Sequence, residues 1–156
     1  MIDTTKSPNA ATTILNAGFD IALLASPEKI AKVHTVEVAW DADGNMSAGF
    51  DIVGKDSVQY RDVIRSTSVA AIKRSQTKKE QIDAKTEKGA GTLYDLGENR
   101  NRKIAIAVTV GAPGFVSNGV PVELTEGFLN LCFDAKPTWE AAILAALDAD
   151  ANFSAI

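Results

Sequence analysis

The run VHTVEVAW–DADGN–MSAGFDIV, residues 33–53, decides the fold class. Residues 33–40 carry β-branched side chains in rough alternation, the two-residue period of a half-buried strand. DADGN then gathers the acidic, amide and glycine residues that a tight turn favours. MSAGFDIV resumes an extended, apolar pattern. The stretch predicts a β-hairpin. Val36, Val38 and Trp40 face a core from its first strand, and Phe50 and Ile52 face it from the second.

The same stretch runs into GFDIVGKDS, residues 49–57, one residue short of a phosphate-binding loop. Such a loop needs Ser or Thr directly after its lysine to hold magnesium. Asp56 stands there instead and repels phosphate. The spacer Phe50 to Val53 also alternates as a strand, whereas a phosphate cradle needs converging backbone N–H groups. A strand ending in a helix cap fits better, with Asp56 or Ser57 accepting from the first turn. DADGN fails as a calcium loop for a similar reason. Counted from Asp41, Met46 and Ile52 fall where the glycine and the closing glutamate belong.

Composition sets further bounds. The chain has 156 residues, 46% of them hydrophobic, enough for one domain with a core. Twenty acidic against 16 basic side chains give a net charge of −4, which argues against general nucleic-acid affinity. The single cysteine, Cys132, excludes an internal disulfide, and its place in FLNLCF makes it a buried thiol rather than a nucleophile. No apolar run approaches the ~20 residues of a membrane span. MIDTTKSPNAATTI is polar and lacks the apolar centre of a signal peptide, so a cytoplasmic protein is expected. His34, the only histidine, has no partners for a zinc site and reads as a strand-surface residue. There is no GxSxG elbow and no convincing carboxylate pair. NMS and NFS match the glycosylation pattern, which a cytoplasmic chain would not use. The expectation is a protein that is not an enzyme, with no metal and no cofactor.

Outward from the hairpin, the expected fold is α+β. A small antiparallel β element precedes a mostly helical C-terminal half. Residues 1–12 form a flexible N-terminus, and 13–156 a single domain with its β element at 13–56 and its helical part at 57–156. FDIALLAS, residues 19–26, reads as a short strand. Tyr60, Val63, Ile64, Ala71 and Ile72 recur at helical spacing, and polar helix formers continue the helix to residue 88. Residues 57–88 hold eight basic and four acidic side chains, net +4; residues 113–156 hold six acidic and one lysine, net −5. This segregation suits either a solvated helix face or an arm that pairs with an acidic surface on a partner or a neighbouring copy.

GAG at 89–91 punctuates the chain. In 93–110, LYDLGENRNRKIAIAVTV, the alternating IAIAVTV favours a strand and its polar neighbours a helix. GAPGFVSNGVPVE reads as a loop. Thr125 caps a helix with Phe128, Leu131 and Cys132 on one side. Pro137 opens a last helix carrying Trp139, Ile143 and Leu147 at i, i+4, i+8. Large aromatic groups are numerous for such short elements. Most belong to a core, while Trp40, Phe115, Phe128 and Trp139 are candidates for partner docking. Lys73, Arg74, Lys78 and Lys79 are candidates for electrostatic contacts.

The order of features resembles a known family. VGKDSVQYRD after the hairpin resembles a junction common in small tail proteins of long-tailed phages. AIAVTVGAPGFVSNGVPVELTEGFLNL followed by KPTWEAAILAALDADANF is similar to the C-terminal half of siphophage and prophage tail assembly chaperones. The likeness covers roughly residues 47–156. It departs from the family at Gly111-Ala112-Pro113, where a tryptophan is common, and at Gly127, where asparagine is common. The resemblance implies a non-enzymatic oligomer in the host cytoplasm. It would coat the tape measure protein, recruit tail tube protein and be absent from the mature virion. A longer frameshifted form is usual in the family. The resemblance also favours helix for residues 101–110. Two other classes stand beside it: a structural virion component such as a tail terminator, tube or head–tail connector subunit, and, less favoured, a small enzyme.

Overall fold

The computed structural model describes residues 21–22 and 32–153. The chain separates into two units, Met1–Ile30 with Ile156, and Ala31–Ala155, and the account below is of the second. The expected flexible segment 1–12 lies outside the described residues. So does the strand expected at 19–26, apart from Ile21 and Ala22, which lie in a short 3-10 turn.

The hairpin forms as its sequence predicts. Strand β1 (Val33–Trp40) pairs antiparallel with β2 (Met46–Val53), Val36 opposite Phe50 and Val33 opposite Val53. Asp41 fixes the turn: its Oδ1 accepts the backbone N–H groups of Asp43 and Asn45, each at 2.9 Å. The Asn45 N–H foremost among these donors holds the Asp41 carboxyl below its ordinary pKa. Val36, Val38, Phe50 and Ile52 are buried as expected. Trp40 is not. The register shifts twice between Glu37 and Trp40, which breaks the alternation. The indole is left 56% exposed, its Nε1 donating to Glu37.

Helix α1 (Val58–Gln76) starts at Ser57, whose hydroxyl accepts the N–H of Tyr60 at 3.2 Å. The expected continuation to residue 88 does not occur. Thr77 turns extended, Lys78–Glu80 make one 3-10 turn, and α2 (Glu87–Val108) begins afresh. Local side chains explain the break. Asp83 accepts the N–H of Lys85, and Thr86 accepts that of Gly89 as a new N-cap, so both compete with a continuous helix. GAG therefore lies inside the start of α2 rather than between elements. Gly89 is there because a Cβ would stand 1.7 Å from the Asp83 carbonyl oxygen.

The ambiguous segment splits. Helix continues through Val108, burying Ile104, Ala105 and Val108 on one face. Thr109–Gly111 then form β3, antiparallel to β2. The sheet order is β1-β2-β3, so β2 is central and receives a strand from the C-terminal half. The loop holds a second hairpin, β4 (Val116–Ser117) and β5 (Val120–Pro121). Asn118 and Gly119 both have positive φ, as an Asn-Gly turn requires.

Helix α3 (Glu126–Ala135) is capped by Thr125, and α4 (Pro137–Leu147) opens on Pro137. The buried face of α3 is Leu129, Cys132 and Phe133, flanked by Phe128. Leu131, expected on that face, is turned out and 68% exposed. Trp139, Ile143 and Leu147 of α4 face the core as expected. The result is α+β: an antiparallel sheet covered by α3, α4 and the C-terminal end of α2.

Gly114 locks the loop to β2. It has φ +84°, and a Cβ there would lie 1.9 Å from the Ser47 carbonyl oxygen. Beside it, Gly49 donates its N–H to the Pro113 carbonyl. Gly114→Ala is expected to cost about 2–4 kcal/mol in urea unfolding, because both backbone and space reject the methyl group. Gly97→Ala, in an open interior position of α2, is expected to stabilise the chain by roughly 0.5–1 kcal/mol.

Candidate functional site

Of the four aromatic candidates, three are brought together in the core. Phe115 lies 5.3 Å from Phe128 and 5.7 Å from Trp139, ring centroid to centroid. Phe50 stands under Phe115 at 4.9 Å and beside Trp139 at 5.9 Å. These distances suit edge-on and offset aromatic packing. The cluster joins the sheet to α3, α4 and the loop, so its rings are occupied. Trp40 alone among the four is free to meet a partner.

The four basic candidates fall around the tip of a helical hairpin. Lys73 and Arg74 sit in the last turn of α1, where cations suit the helix dipole. Lys78 and Lys79 are on the connecting turn. Ala70, Lys73 and Arg74 of α1, Thr92 and Leu96 of α2, and Glu80 and Ile82 of the connection line one open groove of about 580 Å³. The end of α1 therefore lies beside the start of α2. Lys85 and Lys88 add to the same charged end; only the charge count of residues 57–88 pointed to them. Among the described residues, none of these six cations makes an ion pair. Ion pairs elsewhere among the described residues include Lys55–Asp148 at 2.7 Å, Arg102–Asp134 at 2.9 Å and Arg102–Glu140 at 2.6 Å.

Large apolar side chains also lie open on this hairpin: Val69 and Ile72 on α1, Leu93 and Tyr94 on α2. Ile72 was expected to continue the buried face of Tyr60, Val63 and Ile64. Those three pack on the core, whereas Ile72 is 57% exposed, because the helix leaves the core behind.

The remaining chemistry-bearing groups lie in packed or paired surroundings. Cys132 is buried, and burial pushes its thiol pKa up. His34, half-buried on β1, meets Phe153 edge-on at 6.0 Å. Asp56 and Lys55 lie beyond β2, with Lys55 tied to Asp148 rather than poised over a phosphate site. Among the described residues, no three His, Cys, Asp or Glu side chains gather as metal ligands. No helix among them is long and apolar enough to cross a membrane. The chain matches no family model, curated protein or solved structure with which it was compared.

The two tryptophans separate docking from packing. Trp139→Ala is expected to lower stability by about 2–4 kcal/mol through loss of the aromatic cluster. Trp40→Ala is expected to change it by less than about 1 kcal/mol. Paired urea titrations check both.

Proposed function

We propose that this chain is a non-catalytic tail assembly chaperone of a long-tailed phage. It binds the tape measure protein in the host cytoplasm and recruits tail tube protein. The observation that carries this reading is helix α1. It runs for 19 residues, half-buries Tyr60, Val63 and Ile64 against the core and fully buries none of its residues. Water-soluble helices draw most of their stability from packing an apolar face. Here Val69 and Ile72, with Leu93 and Tyr94 on α2, are left open on an otherwise polar hairpin. An exposed apolar row on a helix suits docking against another helix. A tape measure protein is a long, largely helical chain that needs such cover before the tube closes around it. The likeness over residues 47–156 supports the same role.

The test is capture of a tape measure fragment by the full chain. Ile72→Asp with Tyr94→Asp is expected to weaken capture at least tenfold, about 1.4 kcal/mol, with an unchanged circular dichroism spectrum. Equal capture by the variant overturns the docking surface. Purified virions are expected to lack the chain; its stoichiometric presence there would make it a structural virion component instead.

A further inference from the structure

We infer that the outer edge of β1 is a docking site for an extended, basic segment of a partner protein, which joins the sheet as a further strand. β1 is the end strand in the order β1-β2-β3. Gly49 shows which of its backbone groups face outward. The Gly49 N–H donates to the carbonyl of Pro113, just past β3, so it points away from β1. Gly49 and Glu37, which stand opposite each other, therefore form a pair that exchanges no hydrogen bonds. Glu37 turns its own N–H and C=O away from β2, and the two-residue period sets Thr35 and Val33 the same way. Among the described residues, no backbone hydrogen bond meets these groups from outside the hairpin. The register is regular from Val33 to Glu37 and shifts only beyond it. An unpaired edge of this kind is completed by main chain in extended form.

The side chains along the edge select the segment. Val36 is buried on the core face, so Thr35 and Glu37 project from the opposite face of the sheet. Asp51 lies across from Thr35, and its carboxylate accepts the Thr35 hydroxyl at 2.5 Å. The Glu37 carboxylate accepts the indole N–H of Trp40 at 3.2 Å, which sets that exposed ring beside it. Both carboxylates thus have neutral partners, and neither is in an ion pair among the described residues. Side chains of an added strand share a face with their cross-strand neighbours. Lysine or arginine on the outer face meets Glu37 and Asp51 and reaches the indole, where a cation over the ring adds attraction. A second copy does not supply this match, because its own β1 carries neither lysine nor arginine. The inference uses neither α1 nor the family likeness, and it stands whether or not the proposed function holds.

Titration of the full chain with the peptide acetyl-Lys-Val-Arg-Val-Lys-amide, read by calorimetry and amide hydrogen exchange, tests the site. Saturable binding is expected below about 1 mM peptide, with exchange at Val33, Thr35 and Glu37 slowed at least tenfold and α3 and α4 unchanged. The same peptide with glutamate for each lysine and arginine is expected to bind at least tenfold more weakly. So is the basic peptide N-methylated along its backbone, which keeps the charge and removes the main-chain donors. Glu37→Lys is expected to weaken the basic peptide at least tenfold and to strengthen the acidic one, a reversal that a packing defect does not produce. Glu37→Gln, expected to weaken the basic peptide alone, serves if Glu37→Lys unfolds. Lack of saturable binding, equal binding of the basic, acidic and N-methylated peptides, or protection confined to other elements overturns the inference. Slow exchange at the three amides in the free chain also overturns it: protection independent of concentration means the chain covers its own edge, and protection that rises with concentration means a second copy does. None of these readings involves a tape measure fragment, so failure here and failure of the proposed function are separately visible.

Discussion

Phe50 has to be covered from three directions, and most of the body follows from that requirement. It lies on the central strand, fully buried, with the rings of Phe115, Phe133 and Trp139 at 4.9, 5.8 and 5.9 Å. Three strands alone cannot shield one apolar face, so helices must close it. The loop before β4 supplies Phe115, α3 supplies Phe133 and α4 supplies Trp139. Arg102 clamps the rim of this arrangement. Its Nε donates to Glu140, and its Nη1 donates to Asp134 and Asn130. Its guanidinium carbon stands 5.5 Å from the centre of the Phe133 ring. Burial works against the Arg102 charge, and the Glu140 and Asp134 carboxylates outweigh it, raising its pKa. The end of α2 is thereby tied to α3 and α4 by charge above and by Ile104, Ala105 and Val108 below.

The covering of Phe50 leaves the distal hairpin out. Beyond Ile64, no hydrophobic residue before Ile104 belongs to the core cluster or packs against it. The stability of that stretch rests on the Ser57 and Thr86 caps and on contact between its two helices. Local opening there disturbs few buried contacts and is cheaper than opening the body. A surface that must meet another chain is well placed on such an element, because its side chains change without cost to the core. The same separation lets charge differ between arm and body, since neither must neutralise the other within one copy.

The sequence made the body legible because its signals were local. Alternation and DADGN gave the hairpin; Ser57, Thr125 and Pro137 marked helix starts; the 3.6-residue spacing of α4 named its inward face. Trp40 was misplaced because a bulge is a pairing event and leaves no mark in one strand. The helix does not continue to residue 88 because the Asp83 and Thr86 side chains of DAKTE cap a new start, which outweighs the helix propensity of residues 73–88. The Asn-Gly pair in VSNGV was a turn signal read only as loop. Strand β3 was not separable from helix in IAIAVTV, because its pairing with β2 is long-range. Leu131 fits helical spacing with Phe128 and Cys132, but Leu129 and Phe133 fit helical spacing too, and they are the ones buried. The docking candidates divided along the same line: three aromatic side chains were wanted by the core, while the basic ones had no core to join.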